Sequence, residues 1–161
     1  MTLKLEVFKC AKGAVYPKYM TKNSAALDLV AVSEYSLNQT PKLVRTGLKM
    51  AIPHGYVGKI YIRSSLGAKG ICMANGVGII DSDYRGEIKL PLQVSCPQGG
   101  FGSFMEYNYK LKKGERVAQI ILEPIPKVEV VRILDEDALG ETARGEGGLG
   151  STNPGGINAI D

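Results

Sequence analysis

The chain has 161 residues, 44% hydrophobic and 22% charged, enough for one compact core and short for two domains. Its net charge of +4 and pI near 8.9 suit an anionic ligand, but the dense Lys/Arg blocks of a nucleic-acid arm are missing, so no stable nucleic-acid binding is expected. Cys10, Cys72 and Cys96 are an odd number at wide spacings, without a CxxC pair or a nearby histidine, so they offer no zinc site and read as reduced, mostly buried small hydrophobes.

In chain order, "MTLKLEVFKC" at the N-terminus alternates instead of pairing a cationic stretch with an apolar core, and no apolar run approaches the ~18 residues of a membrane span. A soluble protein of a reducing, cytoplasmic or otherwise intracellular compartment is expected. Strand periodicity follows in "LKLEVF" (3 to 8), "GKIYI" (58 to 62), "EIKLPLQV" (87 to 94), "VAQIIL" (117 to 122) and "VEVVRI" (128 to 133), which alternate or run apolar over short stretches. Twenty glycines and eight prolines spread along the chain separate them and predict many short strands joined by turns, an all-β sandwich or barrel. Short helical pieces fit only "SSLGAKG" (64 to 70) and "DEDALG" (135 to 140). The stretch 95 to 115 is the longest irregular segment, with Phe101, Phe104, Tyr107 and Tyr109 as apolar area to fold onto something. From about Ala143 the chain is glycine-rich with no hydrophobic face, so a ligand or a neighbouring surface must order it.

Three stretches carry chemistry. "RGEGGLGSTN" (144 to 153) has the glycine spacing of a phosphate-binding P-loop, but Ser151 stands where the lysine belongs and no long helix follows. Its glycines, Arg144 and the Ser151 and Thr152 hydroxyls nonetheless form an anion-binding set, against the alternative of a plain linker end. "IRSSLG" (62 to 67) sets an arginine and two hydroxyls at a turn after a strand, which can bind phosphate or be a solvated loop. "NGVGIIDSDYRGEI" (75 to 88) offers an Asn-Gly turn, a short apolar strand and a second turn, a hairpin that would hold Asp81 and Tyr84 rigidly.

With these in view, the sequence resembles the trimeric dUTP pyrophosphatases (dUTPases). Five ordered motifs carry the match: "SAALDL" (24 to 29), "RSSLG" (63 to 67), "NGVGIIDSDYRG" (75 to 86), "GERVAQI" (114 to 120) and "RGEGGLGST" (144 to 152). They make up about a quarter of the chain, yet their order spans nearly all of it. The third and fifth are specific; the first and fourth are weak alone.

The resemblance implies a distorted jelly-roll β-barrel, residues 1 to 142 with a longer loop at about 95 to 113, and a flexible C-terminal lid arm, 143 to 161. It implies a homotrimer with sites at subunit interfaces, Mg²⁺ as cofactor, and hydrolysis of dUTP to dUMP and pyrophosphate, which keeps uracil out of DNA and supplies dUMP for thymidylate synthesis. Carried over by position, Asp81 orients and deprotonates the attacking water and contacts the sugar 3′-hydroxyl. Tyr84 packs against the deoxyribose and excludes a 2′-hydroxyl. Asn75, Gly76, Gly78 and Ile80 belong to the hairpin that reads uracil. Arg63, Ser64, Ser65 and Gly67 hold the phosphates, Gln119 supports the phosphate and metal region, and Asp28 acts through metal-bound water. In the arm, Arg144, Gly150, Ser151 and Thr152 grip the γ end.

Several positions depart from the family pattern. Leu149 stands where an aromatic residue stacks on uracil, Ala26 replaces a glycine, Ile62 replaces a proline, and Pro91 interrupts a strand. Two rival readings share the motifs. A dCTP deaminase needs a catalytic glutamate where Pro91 lies, and a nucleotide-sensing protein would signal through the lid and a partner bound at 95 to 113.

Overall fold

A computed structural model of the chain describes residues 3–95 and 108–148, and the chain divides into two compact units, Met1–Lys127 and Val128–Asp161. The described part of the first unit holds β1 (Glu6–Lys9), β2 (Leu27–Val30), β3 (Tyr35–Leu37), β4 (Lys42–Arg45), β5 (Leu48–Ala51), β6 (Tyr56–Ile62), the one-turn helix α1 (Ser64–Gly67), β7 (Ile71–Met73), β8 (Gly78–Ile80), β9 (Lys89–Val94), β10 (Tyr109–Leu111) and β11 (Arg116–Pro124). They pair as a four-stranded sheet β2-β11-β6-β8, a three-stranded sheet β4-β9-β7, and two two-stranded ribbons, β1-β5 and β10-β3. Every pairing is antiparallel. The result is a distorted jelly roll.

The alternation in the sequence selects what faces inward. In β9, Leu90, Leu92 and Val94 are buried at every second position. In β11, paired on both sides, Val117, Ala118 and Ile120 are all buried. All four sheets contribute to one core: Leu29 and Ile60, Leu90 and Leu92, Leu48 and Met50, and Leu37 and Leu111 belong to the same cluster. Each such side chain contributes about 1.5–3 kcal/mol on burial. No fully buried side-chain nitrogen or oxygen among the described residues lacks a hydrogen-bond partner.

Pro91 lies in the central strand of its sheet, opposite Leu43 of β4. Its carbonyl accepts from Ala74 N at 2.8 Å, on the β7 side. A strand residue directs its N–H and C=O to the same neighbour, so the missing donor faces β7 just past the last registered pair, Met73↔Leu92. The ladder therefore loses only a terminal bond, which is how a central strand accommodates proline.

Several expectations change. Within the stretch 95 to 115, read as irregular, Tyr109–Leu111 forms β10 against β3. "LKLEVF" forms a strand only from Glu6, and β1 runs on to Lys9. Cys10 and Cys72 are free thiols that are partly exposed, not buried, while Cys96 lies outside the described residues. "VEVVRI" forms no strand: Val128, Val130 and Val131 are 79%, 92% and 71% exposed. β-branched residues favour a strand only where a partner completes the ladder, and no strand occurs among the described residues of the second unit.

That unit instead contains a one-turn 3-10 helix, Glu136–Leu139, capped by the Asp135 side chain accepting from Asp137 N. A turn follows, closed by Gly145 N to Thr142 O at 3.0 Å and Gly147 N to Arg144 O at 3.0 Å. No helix among the described residues is long and apolar enough to cross a membrane.

Candidate active site

Most of the described residues singled out above gather in two pockets of the first unit. The first, about 330 Å³, is lined by Asn75, Gly78, Ile80, Asp81 and Tyr84, with Leu43, Ile60 and Leu90 among its apolar walls. The second, about 360 Å³, is lined by Ser24, Asp28, Arg63, Ser64, Arg116 and Gln119. Both are at the small end for ligand pockets.

Strand pairing makes the second pocket. Asp28 of β2 lies directly opposite Gln119 of β11, and Ile62 of β6 opposite Ala118, so Arg63 leaves β6 beside both; its N–H donates to Val117 O at 3.3 Å. Arg116 and Gln119 are three apart and in a regular strand would face opposite sides. A register shift between Arg116 and Ala118 is a bulge that brings both into one pocket. Asp28 Oδ2 then takes Arg116 Nη1 at 3.2 Å and Arg63 Nε at 3.5 Å, and Arg63 Nη1 donates to Arg116 O at 3.4 Å. Asp28 is buried, at 8% exposure. Two guanidinium groups on one carboxylate leave a net positive charge facing the pocket, the arrangement a polyanion needs.

The first pocket is held by backbone and shape. Gly76 takes φ +68° and donates to Met73 O at 2.9 Å, so the expected Asn-Gly turn forms. The expected hairpin does not, because β7 pairs with β9 and β8 with β6. The turn carries the chain from one sheet to another. Gly78 is buried against Ile60 and Met73, whose side-chain atoms would lie 3.2 Å from an added Cβ. Beyond β8, Tyr84 N donates to Asp81 O at 3.2 Å, closing the second turn with Asp81 and Tyr84 both exposed at the pocket.

The two pockets lie at opposite ends of β6. Ile80 opposes Gly58 while Arg63 lies five residues further on, just past the end of β6, so the backbones at Asp81 and Arg63 of one chain are separated by roughly 17 Å or more at about 3.4 Å per strand residue.

Of the remaining expected residues, Ser65 and Gly67 are exposed on α1. Arg144, in the second unit, donates from Nε to Gly147 O at 2.7 Å. Leu149, Gly150, Ser151 and Thr152 lie outside the described residues, as does much of the 95 to 113 loop. Sequence alone gives no role to Arg116, inside the fourth motif, or to Glu87, just past the third. Glu87 accepts from Arg45 Nε at 2.9 and 3.0 Å and from Gly47 N at 2.9 Å.

No group of three or more His, Cys, Asp or Glu among the described residues is placed to hold a metal ion. Among the described residues Asp28 is the one carboxylate lining the cationic pocket, and both of its arginine contacts fall on Oδ2.

Comparison with known proteins places these residues in a family. The family model described as dUTPase matches residues 12–153. The deoxyuridine 5'-triphosphate nucleotidohydrolase of Anaplasma marginale is 40% identical over 156 residues, covering 93% of this chain and 98% of that one. That of Wolbachia pipientis from Culex pipiens is 39% identical, covering 93% and 95%. Among solved structures, the Staphylococcus bacteriophage 80alpha dUTPase with dUPNHPP superposes with a TM-score of 0.79 at 24% identity, covering 94% of this chain and 99% of that one, a likeness that bears on the fold. Neither rival reading gains support from these relatives. With the match running from residue 12 to residue 153, through the strands that build both pockets, the chain belongs to the dUTPase family.

Proposed function

We propose that the two pockets are the two halves of a dUTP-hydrolysing site and that a complete site draws them from different copies of the chain. The reaction is hydrolysis of dUTP to dUMP and pyrophosphate. The observation that carries the assignment of roles is the convergence of Asp28, Arg63, Arg116 and Gln119 on one pocket, with Asp81 and Tyr84 on another.

The separation along β6 supports the division, since Asp81 and Arg63 of the same chain line different pockets. In a homotrimer with interface sites, Asp81 of one copy meets Arg63 of the next, and the 143 to 161 arm of a copy covers the substrate. Asp81 takes a proton from the attacking water, whose oxygen forms a bond to the α-phosphorus as the bond to the α–β bridging oxygen breaks and pyrophosphate leaves. A carboxylate in this role contributes about 10²–10⁴-fold.

Arg63, Ser64, Ser65, Gly67 and Gln119 hold the phosphates with Arg116, which joins them on the geometry above. Charge neutralisation and positioning are what phosphoryl chemistry asks of a protein. Mg²⁺ bound with the substrate would add to that neutralisation, and Asp28 is the residue that would hold it through water. Asn75, Gly76, Gly78 and Ile80 shape the uracil pocket through backbone atoms, and Tyr84 packs on the deoxyribose. Arg144, Gly150, Ser151 and Thr152 close on the γ end, and Leu149 leaves the base without an aromatic cover.

The test is pyrophosphate release from dUTP with Mg²⁺, run beside dCTP, dTTP and UTP. Turnover of dUTP alone is expected. Equal turnover of UTP would remove the role given to Tyr84, and tight dUTP binding without turnover would favour the sensing alternative.

A further inference from the structure

Tyr84 lies over the turn that carries it, and its hydroxyl donates to the carbonyl of Glu87 at 3.1 Å. That leaves no room above Gly86: a Cβ there would come within 2.2 Å of the Tyr84 hydroxyl oxygen and 2.4 Å of Cζ. Gly86 is not among the glycines with positive φ, so its backbone would accept any residue. The ring, not the turn, demands glycine.

The carbonyl that receives the phenol is itself anchored. Glu87 accepts from Arg45 Nε with both carboxylate oxygens and from Gly47 N at 2.9 Å, and its side chain is only 11% exposed. The next residue is fixed too: Ile88 N donates to Leu48 O at 2.8 Å, and Ile88 O accepts from Thr46 Oγ1 at 2.8 Å. The bond with Glu87 also raises Arg45 above its ordinary value, first through the hydrogen bond and then through charge.

We infer that Gly86 and Glu87 are positioning residues that fix the Tyr84 ring, Gly86 by leaving the space the ring fills and Glu87 by anchoring its hydroxyl to the β4–β5 segment, and that they thereby set discrimination between 2′-deoxy and 2′-hydroxy sugars. The inference rests on the role given to Tyr84 above. Steric exclusion by a ring requires that the ring stay put, and Tyr84 is 42% exposed, so solvent-side packing alone does not hold it. An added methyl at residue 86 has a ready escape, because the clashing atoms are the far end of a side chain that can swing outward while the fold stays intact.

The experiment measures kcat and KM for dUTP and UTP on the full-length protein with Mg²⁺ for Gly86→Ala, Tyr84→Ala and the double variant, with melting temperatures alongside. Gly86→Ala is expected to melt near the parent, to raise KM for dUTP more than it lowers kcat, and to reduce the dUTP/UTP ratio of kcat/KM by about tenfold to a hundredfold, the range a misplaced contact reaches. Because both substitutions act through one ring, the double variant should be no less selective than Tyr84→Ala alone.

If Tyr84→Ala shifts the ratio while Gly86→Ala leaves it unchanged, the positioning role is overturned and the Tyr84 reading stands. If Tyr84→Ala leaves the ratio unchanged, both fall. Should Gly86→Ala not fold, Glu87→Ala tests the same inference with residue 86 untouched. A lowered ratio that Glu87→Gln restores supports the inference, since the amide oxygen still accepts from Gly47 N; an unchanged ratio overturns it.

Discussion

The pocket beyond β8 is walled by Leu43, Ile60 and Leu90 and positioned by glycines and backbone bonds, whereas the pocket where β2, β6 and β11 meet is built around one buried carboxylate and two arginines. A rigid apolar wall rejects a ligand that carries an extra group; paired cations attract a polyanion and say little about its base or sugar. The proposed function thus divides discrimination and phosphate affinity between different parts of the chain, and predicts that each can be broken while the other is left intact.

The largest effect is expected in the shaped pocket. Asp81→Asn keeps the size of the side chain but removes the base, and kcat for dUTP should fall by about 10²–10⁴-fold with KM little changed. Pyrophosphate release at saturating dUTP measures this. A parent-like kcat would show that Asp81 does not accept the proton.

Arg63→Ala probes the charged pocket and should lower kcat/KM by about 10²–10³-fold, the cost of losing one preorganised donor to developing charge. The two halves should also respond differently to ionic strength, since at 0.1 M salt the attraction between exposed charges more than about 10 Å apart is largely screened. Raising salt should increase KM in the parent and much less in Arg63→Ala. Equal salt dependence in the two proteins would mean that affinity does not come from this pocket.

The two halves were not equally legible in the sequence. The charged half could be read as a set because its residues lie in short motifs on strands with strong alternation, such as "GKIYI" leading to Arg63 and "VAQIIL" carrying Gln119. Missing was the bulge at Arg116, a register feature that depends on the Val30 and Leu29 partners of β2 and leaves no mark in local periodicity. In the shaped half, the Asn-Gly turn was legible, but the partners of β7 and β8 were not: strands of three residues carry too little pattern to say which sheet they join. Glu87 was passed over because its contacts to Arg45 and Gly47 lie 42 and 40 residues away, and a lone glutamate after a turn has no local signal. The valines of 128 to 133 misled for the converse reason, since propensity without a partner strand forms nothing.

A smaller effect is expected at Leu149, which follows the glycines of the arm. Base stacking on an aromatic ring contributes about 1–3 kcal/mol, so Leu149→Phe should lower KM for dUTP by roughly five- to tenfold, toward the lower end of that range. The dUTP/UTP ratio should not move, because the proposed site gives selectivity for the sugar to Tyr84. An unchanged KM would count against stacking by the arm, and a changed ratio would blur the division between the two halves.

The smallest effect concerns the support behind α1 on the charged side. Tyr109 donates to Glu115 Oε1 at 2.7 Å and accepts at 3.2 Å from Nζ of Lys69, which lies two residues past the end of α1. Burial, then the bond to Glu115, raise the phenol above its ordinary 10.0. The fold therefore favours the neutral phenol: its contribution is fully present below pH 10.0 and is lost as pH rises through the raised value. Tyr109→Phe removes the bond at every pH, so it should melt below the parent at pH 8 by a few degrees, at about 0.5–1.5 kcal/mol for such a bond and about 2–4 °C per kcal/mol for a chain of this size. Comparing the two proteins cancels the titration of lysines elsewhere, including Lys59, which Glu123 also raises. The gap between the melting temperatures should close as pH climbs past 10. A gap that persists unchanged to pH 11 would mean that the phenol contributes by packing alone, and that α1 is held from behind by shape, as the pocket beyond β8 is.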